Sequence, residues 1–389
     1  MIGPFHINMP AFGDALELAQ QLPDQSINCI VTSPPYWGLR DYGNDGQLGL
    51  EKTPEEYTEK MVALFRELRR ALCDDGTLWL NLGDSYNSDA SNQKGDRYGG
   101  WEAGMGRRNK SKHSGLKPKD LVGIPWRVAF ALQADGWYLR SDIIWSKPNP
   151  MPESVTDRPT KAHEYLFLMS KSQQYFYDKD AVREAHSRDW SGGKSGGSLG
   201  PQGSKKIQPR EGDPNYRGGH SQWERDAYPE PNPAGRNRRS VWTISTKPYP
   251  GAHFATFPPD LIKPCIMAGT SEKGRCSSCG EQWERVADRT VSKSMQTGNA
   301  WQEGREKAHH HGPSRPGSFH GAQSATIGWR CGCECDADPE SSIVLDPFLG
   351  SGTTGMVCQD LGRKWIGFEL NEDYAPLIEQ RTKQIGLFG

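Results

Sequence analysis

The sequence predicts an α/β protein with a doubly wound sheet, in which helices cover both faces of mostly parallel strands. Short β-branched apolar runs alternate with longer segments of helical spacing, and a glycine-rich turn joins a strand to a helix near the end of the chain. Glycine (44 residues) and proline (28) together make up about 19% of the 389 residues, against roughly 12% in an average protein. Long loops must therefore interrupt the sheet.

The first part of the chain predicts two helix-and-strand pairs. Gly13 to Leu22 has helical spacing, and Ser26 to Thr32 is a short apolar run typical of a buried parallel strand. Thr53 to Leu72 opens with Thr before Pro and repeats apolar residues at intervals of three and four, which predicts an amphipathic helix. Thr77 to Tyr86 is the predicted strand that follows.

The later elements continue this alternation. Helices are predicted over Gly123 to Ala134 and Pro258 to Ala268, and strands over Trp137 to Lys147 and His163 to Ser172. Residues 341–384 give strand, glycine turn, helix, strand and helix in that order. This last region is the clearest part of the pattern.

Charge and hydropathy limit the classes of partner. The net charge of −1 excludes a uniformly basic nucleic-acid binder, yet Asn87 to Lys119 and Ala181 to Pro250 each carry a net charge of +5. Such basic loops suit a surface that grips phosphates locally, although alone they fit solvated loops equally well. No apolar run approaches the length of a membrane span and no signal segment begins the chain, which predicts no membrane partner and a cytoplasmic location.

A glycine turn follows the strand Ile343 to Asp346. Gly350 to Thr353 forms a tight bend that opens a helix, so a ligand could lie at the carboxyl edge of the sheet. The spacing matches neither the dinucleotide fingerprint nor a phosphate loop. A second strand ends at Glu369, where a carboxylate could accept hydrogen bonds from ribose hydroxyls. Together these features predict a nucleotide-type ligand.

The stretch TSPPYW, Thr32 to Trp37, ends a strand at two adjacent prolines and then presents two aromatic residues. Proline has no N–H group and a fixed φ angle, so these carbonyls are held outside the strand ladder. The simpler alternative is a proline turn that closes a strand over a packed aromatic ring.

These motifs together resemble the amino-methylating DNA methyltransferases that use S-adenosylmethionine. DPFLGSGTTG with GFEL is similar to their cofactor-binding motifs and TSPPYW to their catalytic motif, in the order of the beta subclass. Residues 271–340, which contain five cysteines, resemble a cysteine-rich insertion of phage-type members. The resemblance implies a Rossmann-like sheet of the class I methyltransferase type with loop-rich and zinc-ribbon-like insertions, and double-stranded DNA as the partner. It leaves a homodimer and a cognate restriction endonuclease open as further partners.

The resemblance also implies roles for individual residues. The catalytic set is Ser33, Pro34, Pro35 and Tyr36: the serine hydroxyl and the first proline carbonyl would accept hydrogen bonds from the base amine. Tyr36 would stack on a base flipped out of the duplex, helped by Trp37 on the DNA side. The residues implied to bind the cofactor are Asp14, Thr32, His253, Phe257, Asp346, Phe348, Gly350, Ser351, Gly352, Thr353 and Glu369.

Serine at the first position of the catalytic motif favours N4 of cytosine as the methylated atom. Adenine-N6 enzymes of this family usually carry Asp or Asn there, and adenine-N6 methylation on the same scaffold is the alternative. A catalytically inactive, zinc-containing DNA-binding protein is a more distant alternative. Such a protein would have no need of the cofactor-binding motifs, which this sequence contains.

Five of the nine cysteines cluster in residues 271–340. A Cys-x-x-Cys pair followed at a distance by closely spaced cysteines is typical of a structural zinc site with thiolate ligands. The resemblance selects four of them, with Cys331 in reserve and the run His309 to His311 as another source of a ligand. The selected ligands are Cys276, Cys279, Cys333 and Cys335.

The predicted organisation has four parts. Residues 1–180 form the catalytic half of the methyltransferase domain, 181–250 the target-recognition region, 251–270 with 341–389 the cofactor-binding half, and 271–340 the cysteine-rich zinc-binding insertion. Candidate contacts to DNA phosphates or bases in the recognition region are Arg236, Arg238 and Arg239.

Overall fold

Most strands in the described part of the chain belong to one mixed sheet. The computed structural model describes residues 1–39, 41, 43–44, 46–87, 116–185, 235–246, 257–288 and 325–383. The strands are β1 (Met9–Phe12), β2 (Ile27–Thr32), β3 (Leu72–Leu82), β4 (Tyr138–Ser146), β5 (His163–Ser170), β6 (Val241–Thr243), β7 (Arg275–Cys276), β8 (Glu284–Asp288), β9 (Ala325–Arg330), β10 (Pro339–Glu340), β11 (Ile343–Asp346) and β12 (Lys364–Glu369). The order across the large sheet is β1-β12-β11-β2-β3-β5-β4-β6.

Strand β5 alone among these eight described strands runs against its neighbours. It pairs antiparallel with β3 and with β4, whereas the other adjacent pairs are parallel. The amino end of β5 therefore lies at the same edge as the carboxyl ends of the other strands. This edge carries the candidate site.

Helices cover both faces of the sheet, as expected for a doubly wound fold. They are α1 (Ala15–Gln20), α2 (Pro54–Ala71), α3 (Ile124–Ala134), α4 (Pro259–Gly269), α5 (Thr353–Asp360) and α6 (Ala375–Lys383). Helices α1 to α3 pack in one apolar cluster and α4 to α6 in a second. Leu78 and Leu80 of β3 enter the first cluster and Trp79 the second, because alternate strand residues face opposite sides. The predicted fold class is confirmed.

Helix α2 forms where the sequence predicts it. The Thr53 hydroxyl accepts a hydrogen bond from the N–H of Glu56 at 3.1 Å, and Pro54 occupies the first turn, where a missing N–H costs nothing. The apolar stripe that includes Met61 and Phe65 is fully buried. The helix thus covers one face of the sheet beside α1 and α3.

Strand β3 differs from its predicted bounds. It begins at Leu72, directly after α2, because Leu72 pairs with Ile27 ahead of an irregularity in the β2 register. It ends at Leu82 instead of continuing to Tyr86. A Cβ atom on the next residue, Gly83, would lie only 2.4 Å from the ring of Tyr36, so a loop with glycine begins there.

Two short sheets accompany the large one: β7 pairs antiparallel with β10, and β8 pairs with β9. The chain divides into two compact units, one of Met1–Val182, Arg238–Val286 and Gly328–Gly389, and the other of Arg183–Asn237 and Ala287–Ile327. Within the described residues, no helix has both the length and the apolarity needed to cross a bilayer.

Candidate functional site

The carboxyl ends of four neighbouring strands meet at one edge of the sheet. Phe12 at the end of β1 lies opposite Glu369 at the end of β12, and Asp346 at the end of β11 lies opposite Gly367. Strand β2 pairs with β11 and ends at Thr32. Parallel pairing therefore brings the double-proline motif beside the glycine turn, although more than three hundred residues separate them.

Asp346 joins these two motifs through hydrogen bonds. Its Oδ1 accepts a bond from the Thr32 hydroxyl at 2.7 Å, and its Oδ2 accepts one from the Thr354 hydroxyl at 2.6 Å. The N–H of Phe348 also donates to Oδ1 at 3.0 Å. Asp346 is 0% exposed, and this burial raises the pKa of its carboxyl to about 6. The side chain therefore organises the edge from beneath and does not reach its surface.

The glycine turn leaves open space at the sheet edge. Gly350 and Gly352 have φ angles of +54° and +82°, in the left-handed region that favours glycine. A Cβ atom on Gly350 would meet nothing within 4 Å. Ser351 is buried, and its hydroxyl accepts a hydrogen bond from Arg381, so it faces the protein interior. Thr353, also buried, begins α5.

Glu369 closes the other side of this space. Its Oε2 accepts the N–H of Gly350 at 2.8 Å and its Oε1 accepts the N–H of Asn371 at 3.0 Å. Burial raises the pKa of this carboxyl. The N–H of Gly13 donates to the Glu369 carbonyl at 2.9 Å, which brings Asp14 to the same corner. Asp14 caps α1 by accepting bonds from the first-turn N–H groups of Leu16 and Glu17.

The double-proline corner continues directly from β2. The carbonyl of Pro35 accepts a hydrogen bond from the Tyr57 hydroxyl at 2.9 Å, which ties the corner to α2. The Ser33 hydroxyl lies 3.2 Å from the Tyr36 hydroxyl. Burial is the main reason that the pKa of Tyr36 is raised well above its usual value. The tyrosine therefore stays neutral and donates a hydrogen bond.

Several polar residues around Tyr36 had no role predicted from the sequence. Its hydroxyl lies 2.7 Å from Glu164 Oε2 and 3.1 Å from Asn81 Oδ1. Lys147 pairs with the other oxygen of Glu164. Charged residues at the end of one predicted strand and the start of the next were the available signal. Using this signal would have required knowledge of the direction of β5, which places Glu164 at the edge of the sheet that carries the site.

Lys161 is a second half-buried cation near this corner. Its ammonium donates to the carbonyl of Asp84 at 2.6 Å, and burial lowers the pKa of the side chain. The Asp84 carboxylate accepts N–H groups from Gly123 and Ile124, at the start of α3. The loop after β3 is thus held both to the segment just before β5 and to the start of α3.

The structure corrects the expected role of Trp37. This side chain is only 3% exposed, and its Nε1–H donates to the carbonyl of Glu51 at 3.0 Å. It belongs to the apolar cluster under α2 and offers no surface to DNA. The prediction was wrong because the sequence does not reveal how the chain turns back over the corner after Tyr36.

The three candidate arginines have different surroundings. Arg238 lies over the ring of Trp242, 4.4 Å from its centroid. Arg236 forms an ion pair with Glu184 at 3.3 Å, and Arg239 is exposed.

Of the two predicted cofactor residues near α4, the structure describes one. Phe257 is half-buried against the second apolar cluster. His253 lies outside the described residues.

Four cysteines approach one another in the insertion. Their Sγ atoms all lie within 4.8 Å of one another, and the pairing of β7 with β10 joins the two ends of the segment that carries them. Gly280, with a φ angle of +80°, follows the first pair and donates its N–H to the carbonyl of Cys276. The cluster contains the same four residues that the sequence suggested: Cys276, Cys279, Cys333 and Cys335.

Residues 27–276 and 336–380 match a family model described as DNA methylase, of the N6/N4 type. This match spans most of the chain. The chain belongs to the N6/N4 DNA methylase family. The methylase is 40% identical over 379 residues to the type II methyltransferase M.XycI of Xanthomonas campestris pv. cyanopsidis, covering 95% of this chain and 86% of that protein.

Further comparisons agree with this assignment. The methylase is 40% identical over 371 residues to the type II methyltransferase M.SmaI of Serratia marcescens, covering 95% of this chain and 88% of that protein. Among solved structures it is similar in fold to PvuII DNA methyltransferase (cytosine-N4-specific), with a TM-score of 0.51 and 17% identity. That likeness covers 97% of this chain and 87% of the other.

The raised pKa of Asp346 makes the stability of the methylase depend on pH. An exposed aspartate has a pKa of about 3.9, so the folded state binds this proton more tightly than the unfolded state. The stability that this pKa difference contributes is fully present below the pKa of the unfolded state. It is lost as pH rises through the folded-state pKa of about 6. Between about pH 4.5 and about pH 7, the unfolding free energy of the wild type should fall by about 2 kcal/mol relative to Asp346→Asn.

Urea unfolding of both proteins across this pH range measures the difference. Replacement of the exposed Asp360 by Asn serves as the control for removal of a surface carboxylate. If the difference in unfolding free energy between wild type and Asp346→Asn stays constant across the pH range, the pKa of Asp346 is not raised in the folded state.

Proposed function

We propose that this methylase transfers a methyl group from S-adenosylmethionine to the exocyclic N4 atom of a cytosine flipped out of duplex DNA. The main support is the 2.7 Å hydrogen bond between Thr32 and Asp346. It fixes the residue before Ser33 to the strand that enters the glycine turn. A base at the double-proline corner and a donor at the turn would then share one edge of the sheet.

The residues at the turn fit the cofactor. The empty volume beside Gly350 gives it space, and the Glu369 carboxylate at the tip of β12 suits ribose hydroxyls. When bound, S-adenosylmethionine supplies an electrophilic methyl group on its sulfonium. Phe348 lies two residues before Gly350, and Asp14 follows Gly13, whose N–H donates to the Glu369 carbonyl. Both residues would contact the adenine end of the cofactor.

The chain supplies hydrogen-bond acceptors to the base amine. The lone pair of an exocyclic amine is conjugated with the ring, so the amine must pyramidalise before it can attack a methyl group. The Ser33 hydroxyl and the Pro34 carbonyl would accept bonds from its N–H groups and stabilise that geometry. The two prolines restrict the backbone, so these acceptors need little reorganisation. Tyr36 would stack on the flipped base.

Serine at position 33 is the reason for choosing cytosine. A neutral hydroxyl replaces the Asp or Asn that adenine-N6 members of the family usually carry. Adenine N6 remains the competing product and is separated from cytosine N4 by the experiment below.

Duplex recognition is proposed for residues 181–250, where the beta subclass keeps its target-recognition region. Arg239 is the exposed member of the three candidate arginines, so it is the first choice for a phosphate contact. A cognate restriction endonuclease is the proposed cellular partner, consistent with similarity to type II methyltransferases.

We further propose that the four clustered cysteines bind one structural zinc ion. Tetrahedral thiolate sites need four sulfur atoms about 4 Å apart, and mutual distances within 4.8 Å fit this requirement. Zinc would fasten the two ends of the insertion next to β7 and β10. Four thiolates leave no open position for catalysis, so the ion would be structural.

The proposed reaction predicts a defined product. Purified protein incubated with labelled S-adenosylmethionine and unmethylated DNA should yield N4-methylcytosine when the DNA is digested to nucleosides. Chromatographic standards separate it from 5-methylcytosine before mass analysis. Ser33→Ala should lower the methylation rate by about 100-fold, because one preorganised acceptor is lost, with cofactor affinity nearly unchanged. N6-methyladenine without N4-methylcytosine would overturn the choice of base.

The zinc proposal predicts a selective loss of metal. Protein purified in buffer free of added metal should contain about one zinc per chain by mass spectrometry. Cys335→Ser should lose most of it, because three thiolates hold zinc less tightly. Cys331→Ser is the control and should keep the metal: the Cys331 Sγ lies 3.0 Å from that of Cys333 but is not among the four sulfur atoms that lie within 4.8 Å of one another. Loss of zinc from the control, or its absence from the wild type, would contradict the ligand set.

A further inference from the structure

An ion pair contacts the hydroxyl of Tyr36, and the proposed reaction gives this pair no role. Glu164 uses its two carboxylate oxygens for two different partners. One oxygen accepts the Tyr36 hydroxyl at 2.7 Å, and the other pairs with the ammonium of Lys147. The side chains of Lys147 and Glu164 are only 18% and 15% exposed.

Strand pairing fixes this ion pair in place. Trp145 of β4 lies opposite Glu164 of β5, and the N–H of Lys147 donates to the carbonyl of Ala162 at 2.8 Å. The Lys147 ammonium also lies over the ring of Trp145, 4.3 Å from its centroid. The carboxylate therefore has a rigid backbone on one side and a restrained cation on the other.

The ring of Tyr36 is restrained at several points. Asn81 Oδ1 lies 3.1 Å from its hydroxyl, and the Asn81 amide is itself held by a bond to the carbonyl of Tyr165 at 3.0 Å. Gly83 lies so close to the ring that any side chain there would overlap it. Packing limits where the ring can lie, while the hydroxyl contacts limit its orientation.

Stability alone does not account for this arrangement. Partly buried ion pairs recover little more than the cost of removing both charges from water, so apolar residues could fill this position without loss. The pair instead aims an acceptor at the hydroxyl of Tyr36, which is half-buried, whereas the neighbouring Trp37 is buried. Preorganising an aromatic platform lowers the entropy cost of holding a base in reactive alignment.

We propose that Glu164 is a positioning residue that orients the Tyr36 ring for the flipped base, and that Lys147 keeps Glu164 in position. This inference rests on the proposed stacking role of Tyr36. Glu164 acts through the tyrosine hydroxyl and need not touch the base or the cofactor.

The chemistry of the pair suggests a test by substitution. A carboxylate can accept from Lys147 and Tyr36 at once, whereas the amide of Glu164→Gln has only one oxygen. The ammonium would take that oxygen and turn the amide NH2 toward the tyrosine hydroxyl. Additional removal of the ammonium by Lys147→Met would free the amide oxygen for Tyr36.

The experiment measures single-turnover methyl transfer to unmethylated DNA, with cofactor affinity determined by calorimetry. Glu164→Gln and Tyr36→Phe should each slow transfer about tenfold, without a change in cofactor affinity. Because both act through one hydrogen bond, their combination should be at most about twofold slower than Tyr36→Phe alone. Lys147→Met combined with Glu164→Gln should be faster than Glu164→Gln.

Asp178→Asn is the matched control for loss of a buried carboxylate. Asp178 is paired with Arg285 at 2.9 Å and belongs to neither proposed motif. The control should lower the melting temperature and leave the rate of methyl transfer unchanged.

Different failures identify different errors. If Tyr36→Ala transfers methyl groups at the wild-type rate, the stacking role fails and the positioning role fails with it. If Tyr36→Ala is slow but Glu164→Gln is as fast as wild type, only the positioning role is wrong. The positioning role is also wrong if the rate losses of Glu164→Gln and Tyr36→Phe multiply in the double variant. It is wrong as well if adding Lys147→Met to Glu164→Gln does not raise the rate of methyl transfer.

Discussion

The buried carboxylate of Asp346 is the constraint on which the site depends. A carboxylate removed from water must receive hydrogen bonds, and its donors come from β2, from the residue pair after β11 and from the start of α5. Movement of α5 would leave Oδ2 without a donor, and movement of β2 or of the Phe348 backbone would remove one of the two donors to Oδ1. The double-proline corner and the glycine turn are therefore held as one unit, even though they lie near opposite ends of the chain.

The direction of β5 adds the second part of the site. An antiparallel strand within otherwise parallel neighbours delivers its first residues to the edge where the others end. Glu164 reaches Tyr36 for this reason, and Lys147 at the end of β4 reaches Glu164. One side of the edge is glycine-rich and holds the Asp346 and Glu369 carboxylates. The other side holds the Lys147–Glu164 ion pair and the hydroxyl of Tyr36. That asymmetry suits a mobile cofactor on one side and a base held at a fixed angle on the other.

Local patterns in the sequence were sufficient to predict much of this architecture. The cap and apolar stripe of α2, the buried β2 strand and the glycine turn after Asp346 all depend on residues close in the chain. The spacing of the cysteines indicated a thiolate cluster, and the family resemblance selected these four from the five. Features set by pairing between distant segments were not predictable. The early start of β3 depends on Ile27, and the burial of Trp37 depends on how the loop to Glu51 folds back.

Contacts between side chains distant in sequence were equally hidden. Ser351 turns toward Arg381 in the last helix, and Tyr36 meets a carboxylate 128 positions further along the chain. Neither contact follows from spacing or periodicity. Both required the order of the strands and, for the second, the direction of β5.

A crystal structure with S-adenosylhomocysteine and a DNA duplex containing the target site would show whether the cofactor and the target base meet at this edge of the sheet. We expect the ribose of the cofactor product on Glu369 and a flipped cytosine against Tyr36, with its amine bonded to Ser33 and to the Pro34 carbonyl. A cofactor bound away from the glycine turn, or a target base remote from the double-proline corner, would contradict it.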